Sequence, residues 1–320
     1  MEIDVATQLV ASPRRLPFKL AASAVLVMFL WTLCFPLIST GLESSPPMAF
    51  ATLRAVIAGL ILLAAAQLMH RPPIGRADHW RKTVLVGLTV TGLGFFGMFY
   101  GGGLVSPGLA TVVANTQPLI AAVLAGIWLG EHLGRAQRFG LVFGFTGIVV
   151  IGVNGLQGFA QQGLGIAYIL LGATGVAVGN VLLKSMADSV DAVRVMGWQL
   201  LVGSVPLALM VIVVDESVAI SWNISFIISL ITLSVFGTAV PFVLWVKLLK
   251  QADLSQLNAF TFLTPIFGIL LGMTFFGEIF HAAIFGGIAL SLLGIYLVSR
   301  PKVTDGGRST PGSDRNVRSL

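Results

Sequence analysis

Apolar runs of about 20 residues, the length a helix needs to cross a bilayer, recur along the whole chain, broken by short stretches of charge, proline and glycine. Ten can be marked: 18–40, 47–69, 83–101, 105–128, 136–154, 163–183, 194–214, 224–246, 253–276 and 280–299. The joint between the third and fourth is the short, weakly polar "GGGLVSPG". The first run follows Arg14, Arg15 and Lys19. It exceeds the roughly 7–15 residues of a signal-peptide core and lacks a clear small-residue cleavage site, so it reads as a retained helix. A short segment, 1–17, precedes it, and a polar Gly/Ser-rich tail, 300–320, follows the last run and reads as disordered.

One phrase occurs twice. "PLIAAVLAGIWLGE" begins at Pro118 and "PIFGILLGMTFFGE" at Pro265, 147 residues later. Sliding the chain by that offset also brings Gly140 onto Gly287 and Gly147-Ile148 onto Gly294-Ile295. More loosely, with an offset of about 145, Arg54 falls near Gln199 and Ala58 near Gly203. The chain therefore divides into two five-helix halves, 18–154 and 163–299. Five is odd, so if the first half starts on one side of the membrane the second starts on the other. The expected fold is all-α and integral to the membrane: ten transmembrane helices as two inverted five-helix repeats, an architecture of many secondary transporters.

Charge placement supports the count independently. Lys and Arg fall in the N-terminal segment, the even-numbered connections and the tail, whereas the odd-numbered connections hold none but carry Glu43, Asp215, Glu216 and Glu278. Positive residues stay on the cytoplasmic side, which predicts cytoplasmic termini and a plasma (inner) membrane location. The net charge of +6 then reflects topology, and no nucleic-acid partner is expected. Composition agrees: 56% hydrophobic and 10% charged, against about 25% charged in soluble domains. The single cysteine, Cys34, excludes a cysteine-built disulfide or metal framework, and no cofactor is expected.

With the proline-to-Gly-Glu phrase closing the fourth and ninth helices, and a Gly-rich apolar helix after each, the chain resembles the drug/metabolite transporter superfamily and, within it, the EamA-like transporters. The resemblance spans both halves. It implies ten helices, inverted repeats, a central cavity and export of small metabolites such as amino acids, amines or drugs. Many members carry a Trp in the first helix of both halves; here Trp31 is present and the sixth helix has none, which implies an asymmetric aromatic lining.

Several residues carry candidate chemistry, each with a plainer alternative. Arg54 is the only Lys or Arg more than three residues inside a run. It can snorkel or pair structurally, or serve as counter-charge for a carboxylate-bearing substrate. Glu131 and Glu278 follow a glycine and precede a helix, so each reads as a complement to the next helix's dipole, with proton coupling as the alternative. Asn115 precedes Pro118 and Asn258 precedes Pro265; these amides can repair a proline kink or line a cavity, and the two prolines are hinge candidates. Asn180 and Gln199 are isolated amides that should face protein or cavity rather than lipid. Trp31, Phe99, Tyr100 and Trp245 can line an aromatic cavity or simply pack. Glycine faces on the fifth and tenth helices suit close packing and could also mate two subunits in a homodimer.

No P-loop signature occurs, so transport, if present, is secondary. The four histidines lie in connections or helix ends, and neither H-E-x-x-H nor G-x-S-x-G occurs, which argues against an intramembrane enzyme. The expected function is a secondary exporter of small metabolites working by alternating access. A nucleotide-sugar or other organic-anion exchanger of the same fold, and a non-transporting scaffold or sensor, remain the alternatives.

Overall fold

The computed structural model describes residues 17–128, 134–156, 160–186, 189–213, 219–249, 251, 260, 263–279 and 282–298. Runs rich in Leu, Ala, Val and Phe wind into helices, because only a helix satisfies its own backbone where no water is available. No strand occurs among the described residues. In chain order the α-helices are α1 (Phe18–Thr32), α2 (Cys34–Leu42), α3 (Pro47–Leu68), α4 (Ala77–Val86), α5 (Gly94–Gly102), α6 (Pro107–Ala114), α7 (Gln117–Trp128) and α8 (Arg135–Leu156). They continue with α9 (Ala160–Lys184), α10 (Ala192–Val213), α11 (Ile224–Ser234), α12 (Val240–Leu249), α13 (Leu263–Phe275) and α14 (Ala282–Val298). π-Helical segments, Gly87–Leu93 and Val235–Ala239, join α4 to α5 and α11 to α12.

Six stretches are long and apolar enough to cross a membrane: Phe18–Leu42, Pro47–Leu68, Ala77–Gly102, Gln162–Leu183, Ala192–Val213 and Ile224–Trp245. The shorter apolar helices Leu263–Phe275 and Phe285–Leu297 accompany them. Large apolar side chains such as Leu60, Phe139, Val142, Val149 and Ile212 are exposed on the outside, as a lipid-facing surface requires. The fourth apolar run is not one helix. It breaks between α6 and α7 at Asn115 and Thr116, with Pro118 in the first turn of α7, where a proline's missing N–H costs nothing.

Helix α3 packs along α10 in the opposite sense. At one end Ser221 N–H donates to the Ser44 carbonyl (2.9 Å) and Asn223 Nδ2 to Ser44 Oγ (2.8 Å). At the other, Arg194 Nη2 donates to the Arg71 carbonyl (2.6 Å), and Arg71 lies 3.8 Å from Asp191. At about 1.5 Å per residue, a helix of this length matches a hydrocarbon core of about 30 Å. Helix α8 packs on α14, α6 on α13, α5 on α9, and α1 on both α12 and α13.

Glycine makes the α8–α14 contact close. A side chain on Gly147 would meet the Gly287 carbonyl and Ser291 N within 2.6 Å, and one on Gly294 would run into the Gly144 backbone. The glycine faces of the fifth and tenth helices are thus turned on each other within one chain. The core between α3, α5 and α11 is aromatic: Phe50 packs edge-on to Phe99 (5.1 Å between centroids) and to Phe226 (5.2 Å).

Candidate functional site

Polar groups at spanning depth gather in three places, and each joins residues of 18–154 to residues of 163–299. The first surrounds Arg54. It sits on α3 with only 4% of its surface exposed. Its Nε donates to Thr238 Oγ1 (3.0 Å) and its Nη2 to Cys34 Sγ (3.6 Å). The guanidinium carbon lies 4.4 Å from the centre of the Phe95 ring, a cation–π arrangement. Nη1 is buried with no hydrogen-bond partner. Among the described residues no carboxylate forms an ion pair with Arg54. It therefore neither snorkels to the interface nor pairs with Glu43; neutral groups and a ring face hold it in the interior.

The second place mirrors the first. Gln199 on α10 is fully buried, accepts from Thr91 Oγ1 (2.7 Å), and directs its Nε2 at Met196 Sδ (3.9 Å). Thr91 lies in the π-helical segment before α5, and Thr238 in the one before α12. Those threonines are 147 residues apart, the same offset as the repeated phrase. A residue of α3 thus grips the π segment of the other half, and its counterpart on α10 returns the grip. π Segments widen a helix locally and recur at functional positions; here each presents its threonine to a helix of the opposite half. Thr91→Val should leave the Gln199 amide oxygen unsatisfied, at a cost of about 1–3 kcal/mol. Thr91→Val combined with Gln199→Leu should recover most of it, and thermal unfolding of the four proteins in detergent checks this double-mutant cycle.

The third place is a clasp at one end of the bundle. Glu278 accepts from Ser106 Oγ (2.7 Å) and from the Gly108 backbone N–H (2.8 Å). It caps the start of α6, across the halves, rather than complementing the helix that follows it in sequence. Gly277 takes a left-handed conformation at φ 61°, which glycine adopts without penalty and which turns the chain back. Gly272 leaves room, since a Cβ there would stand 2.7 Å from the Glu278 carboxylate. Ser106 makes no cap bond to its own helix and gives its hydroxyl to the carboxylate instead.

The remaining sequence candidates divide. Trp31 and Trp245 are half-buried and pack on each other, centroids 5.3 Å apart. Phe99 is wholly buried in the aromatic core, which makes it packing rather than lining. Tyr100 stacks with Phe96 and Tyr168. Asn115 Nδ2 donates to the Thr111 carbonyl (3.2 Å) at the α6–α7 break, the kink-repair role. Asn180 is exposed, one turn before Lys184. Pro265 is buried in the first turn of α13. Glu131 and Asn258 lie outside the described residues. Sequence reasoning missed Thr91, Thr238, Ser106 and the role of Cys34; for the two threonines the 147-residue offset was itself the available signal.

Apolar helices of spanning length, a lipid-facing exterior and polar contacts between two halves define a multi-pass membrane protein of the transporter class. The chain belongs to the EamA-like transporter family, whose model matches residues 19–153 and 163–300. Members of this family are transporters and not enzymes, so the bilayer and a small-molecule substrate are this protein's partners. A chloroplastic WAT1-related protein of Arabidopsis thaliana is 30% identical over 87% of this chain and 68% of its own length. An uncharacterized transporter of Bacillus subtilis, YvbV, is also 30% identical, over 87% of this chain and 91% of its own. A probable amino-acid metabolite efflux pump of Escherichia coli is 25% identical over 86% and 92%. A solved structure described only as a crystal structure of a protein shares the fold at a TM-score of 0.63 and 21% identity, over 87% of this chain and 96% of that one.

Proposed function

We propose that the protein is a secondary exporter of small metabolites that works by alternating access, built as ten spanning helices in two inverted five-helix repeats. The observation that carries this reading is the exchanged grip, Arg54 on Thr238 and Gln199 on Thr91, at equivalent positions of the two halves. The antiparallel course of α3 and α10, which are equivalent by the same offset, supports inversion. So does the contact of α8 with α14, two equivalent helices, and that of α6 with α13, which belong to the equivalent fourth and ninth apolar runs. The two blocks matched by the family model coincide with the proposed halves.

Two halves that are inverted copies can exchange conformations, and that exchange moves access from one face to the other. Each hydrogen bond across the interface is then a contact to be broken and remade during the cycle. The Lys/Arg alternation supports cytoplasmic termini in a plasma membrane; in that orientation the Glu278 clasp would lie at the outer face and the Arg71–Asp191 pair at the inner. The relative named as an amino-acid metabolite efflux pump supports outward movement of amino-acid-like solutes.

Counterflow in proteoliposomes tests the reading without knowledge of a coupling ion. Vesicles preloaded with unlabelled amino acids, amines or nucleotide sugars, one class per batch, should give a transient overshoot of labelled solute for one class. Flat traces for every class, from inserted and folded protein, would favour a scaffold. The α6–α7 break makes a further prediction. Pro118→Ala lets the two helices merge, so exchange should fall several-fold while insertion is unchanged; turnover at the wild-type rate would remove the hinge role.

A further inference from the structure

We infer that Arg54 receives the carboxylate of the transported solute, with the solute's ring or apolar body lying toward the Trp31–Trp245 pair. This rests on the transporter reading and names its substrate class. A guanidinium buried at spanning depth without a carboxylate from its own described residues is costly, and such groups mark substrate pathways by default. Here the orientation is fixed on three sides: Thr238 holds Nε, Cys34 holds Nη2, and Phe95 covers the face. Nη1 is left unpaired. The side-chain hydrogen-bond partners of Arg54 are a threonine and a cysteine, so among the described residues no carboxylate competes with an incoming one.

The residues that hold Arg54 also lead to the aromatic pair. Trp31 lies three residues before Cys34, near the end of α1 where Cys34 opens α2, and Trp245 lies in α12, seven residues after Thr238 of the preceding π segment. By helix rise the tryptophans are displaced along the bundle by about 5–10 Å from Cys34 and Thr238, toward the cytoplasmic side in the orientation proposed above. A solute whose ring stands one or two carbons from its carboxylate, as in an arylacetic acid or an aromatic amino acid, is short enough to place both within that interval. The other Lys and Arg within the apolar runs, Lys19, Arg138 and Arg194, each stand within three residues of a run's start, whereas Arg54 is well inside its run. One positive charge balances a monocarboxylate and leaves a phosphate dianion undercompensated.

The test uses the full chain in proteoliposomes and a matched panel: L-phenylalanine, L-phenylalaninamide, phenylacetate and phenethylamine. Wild-type protein should exchange the two carboxylates about tenfold faster than the amide and the amine, the scale of one charge-assisted hydrogen bond. Arg54→Gln should erase that preference by slowing the carboxylates alone, and Arg54→Lys should restore part of it. Because the wild-type preference decides the matter without a variant, a poorly folded Arg54→Gln does not leave the inference unread. Equal exchange of acid and amide, or an intact preference in Arg54→Gln, overturns the Arg54 assignment and leaves the transporter standing. Exchange of the amine and amide alone does the same. No exchange of any solute, including the broader panel above, overturns both.

Discussion

Glu278→Ala opens the clasped end of the bundle, the outer one in the proposed orientation: an impermeant thiol reagent should label a cysteine placed at Val105 far faster in this variant, in a Cys34→Ser background. The carboxylate makes two charge-assisted hydrogen bonds to the start of α6, one from Ser106 Oγ and one from Gly108 N–H. It also places negative charge at the helix's positive end. Glu278 is half-buried, so solvent screens part of this. A loss of about 2 kcal/mol is a reasonable scale. That corresponds to a shift on the order of 30-fold in the ratio of open to closed outer ends. Val105 is 7% exposed beside the clasp, so its labelling reports that ratio. Glu278→Gln keeps the shape and one acceptor oxygen but loses the charge, and should fall between. Labelling that does not rise in Glu278→Ala would mean the halves are held at that end by the Ser44–Asn223 contact instead.

The largest effect on stability is expected at Gly147. A valine there would drive its side chain into the Gly287 carbonyl and Ser291 N, each within 2.6 Å of the new Cβ. Backbone cannot yield as a flexible side chain can, so α8 and α14 must separate along their length. Overpacking costs about 1–3 kcal/mol even where side chains can adjust, and the upper end applies here. Gly147→Val should lower the unfolding temperature in detergent and the yield of folded protein. Gly286→Ala, where an added Cβ meets nothing within 4 Å, is the matched control and should change neither. Equal behaviour of the two variants would show that α8 and α14 are not in contact in the bilayer.

Much of the architecture was legible in the sequence because it rests on local signals. Apolar length sets the helices, while the sides read from Lys/Arg placement and the repeat read from the Pro118 and Pro265 phrases belong to the proposed architecture. The polar site was only half legible. Arg54 and Gln199 stand out, since a charge or an amide in an apolar run is costly wherever it points. Their partners do not, because a threonine can bond its own helix and so carries no signature. Thr111 and Thr174 do that, each bonding the carbonyl four residues back. Glu278 misled for a related reason. A capping rule read along the chain assigns a carboxylate to the next helix, whereas α6 reaches it only through folding. For Phe99 the sequence left lining and packing open, because an aromatic side chain looks the same whether it lines a cavity or fills a core.

The α8–α14 contact also has a consequence for biosynthesis. The two glycine ridges that must meet are made 147 residues apart, the offset between Gly147 and Gly294. At about 5–20 residues per second, α8 waits about 7–30 s after leaving the ribosome before its partner exists. During that interval its small-residue face meets only lipid or the insertion machinery, and any other helix presenting a similar ridge is a competitor. The last helix synthesised is thus the one that releases the fifth from that wait. A chain truncated before α14 would be expected to leave the membrane-inserted first half intact in sequence yet exposed to quality-control proteolysis.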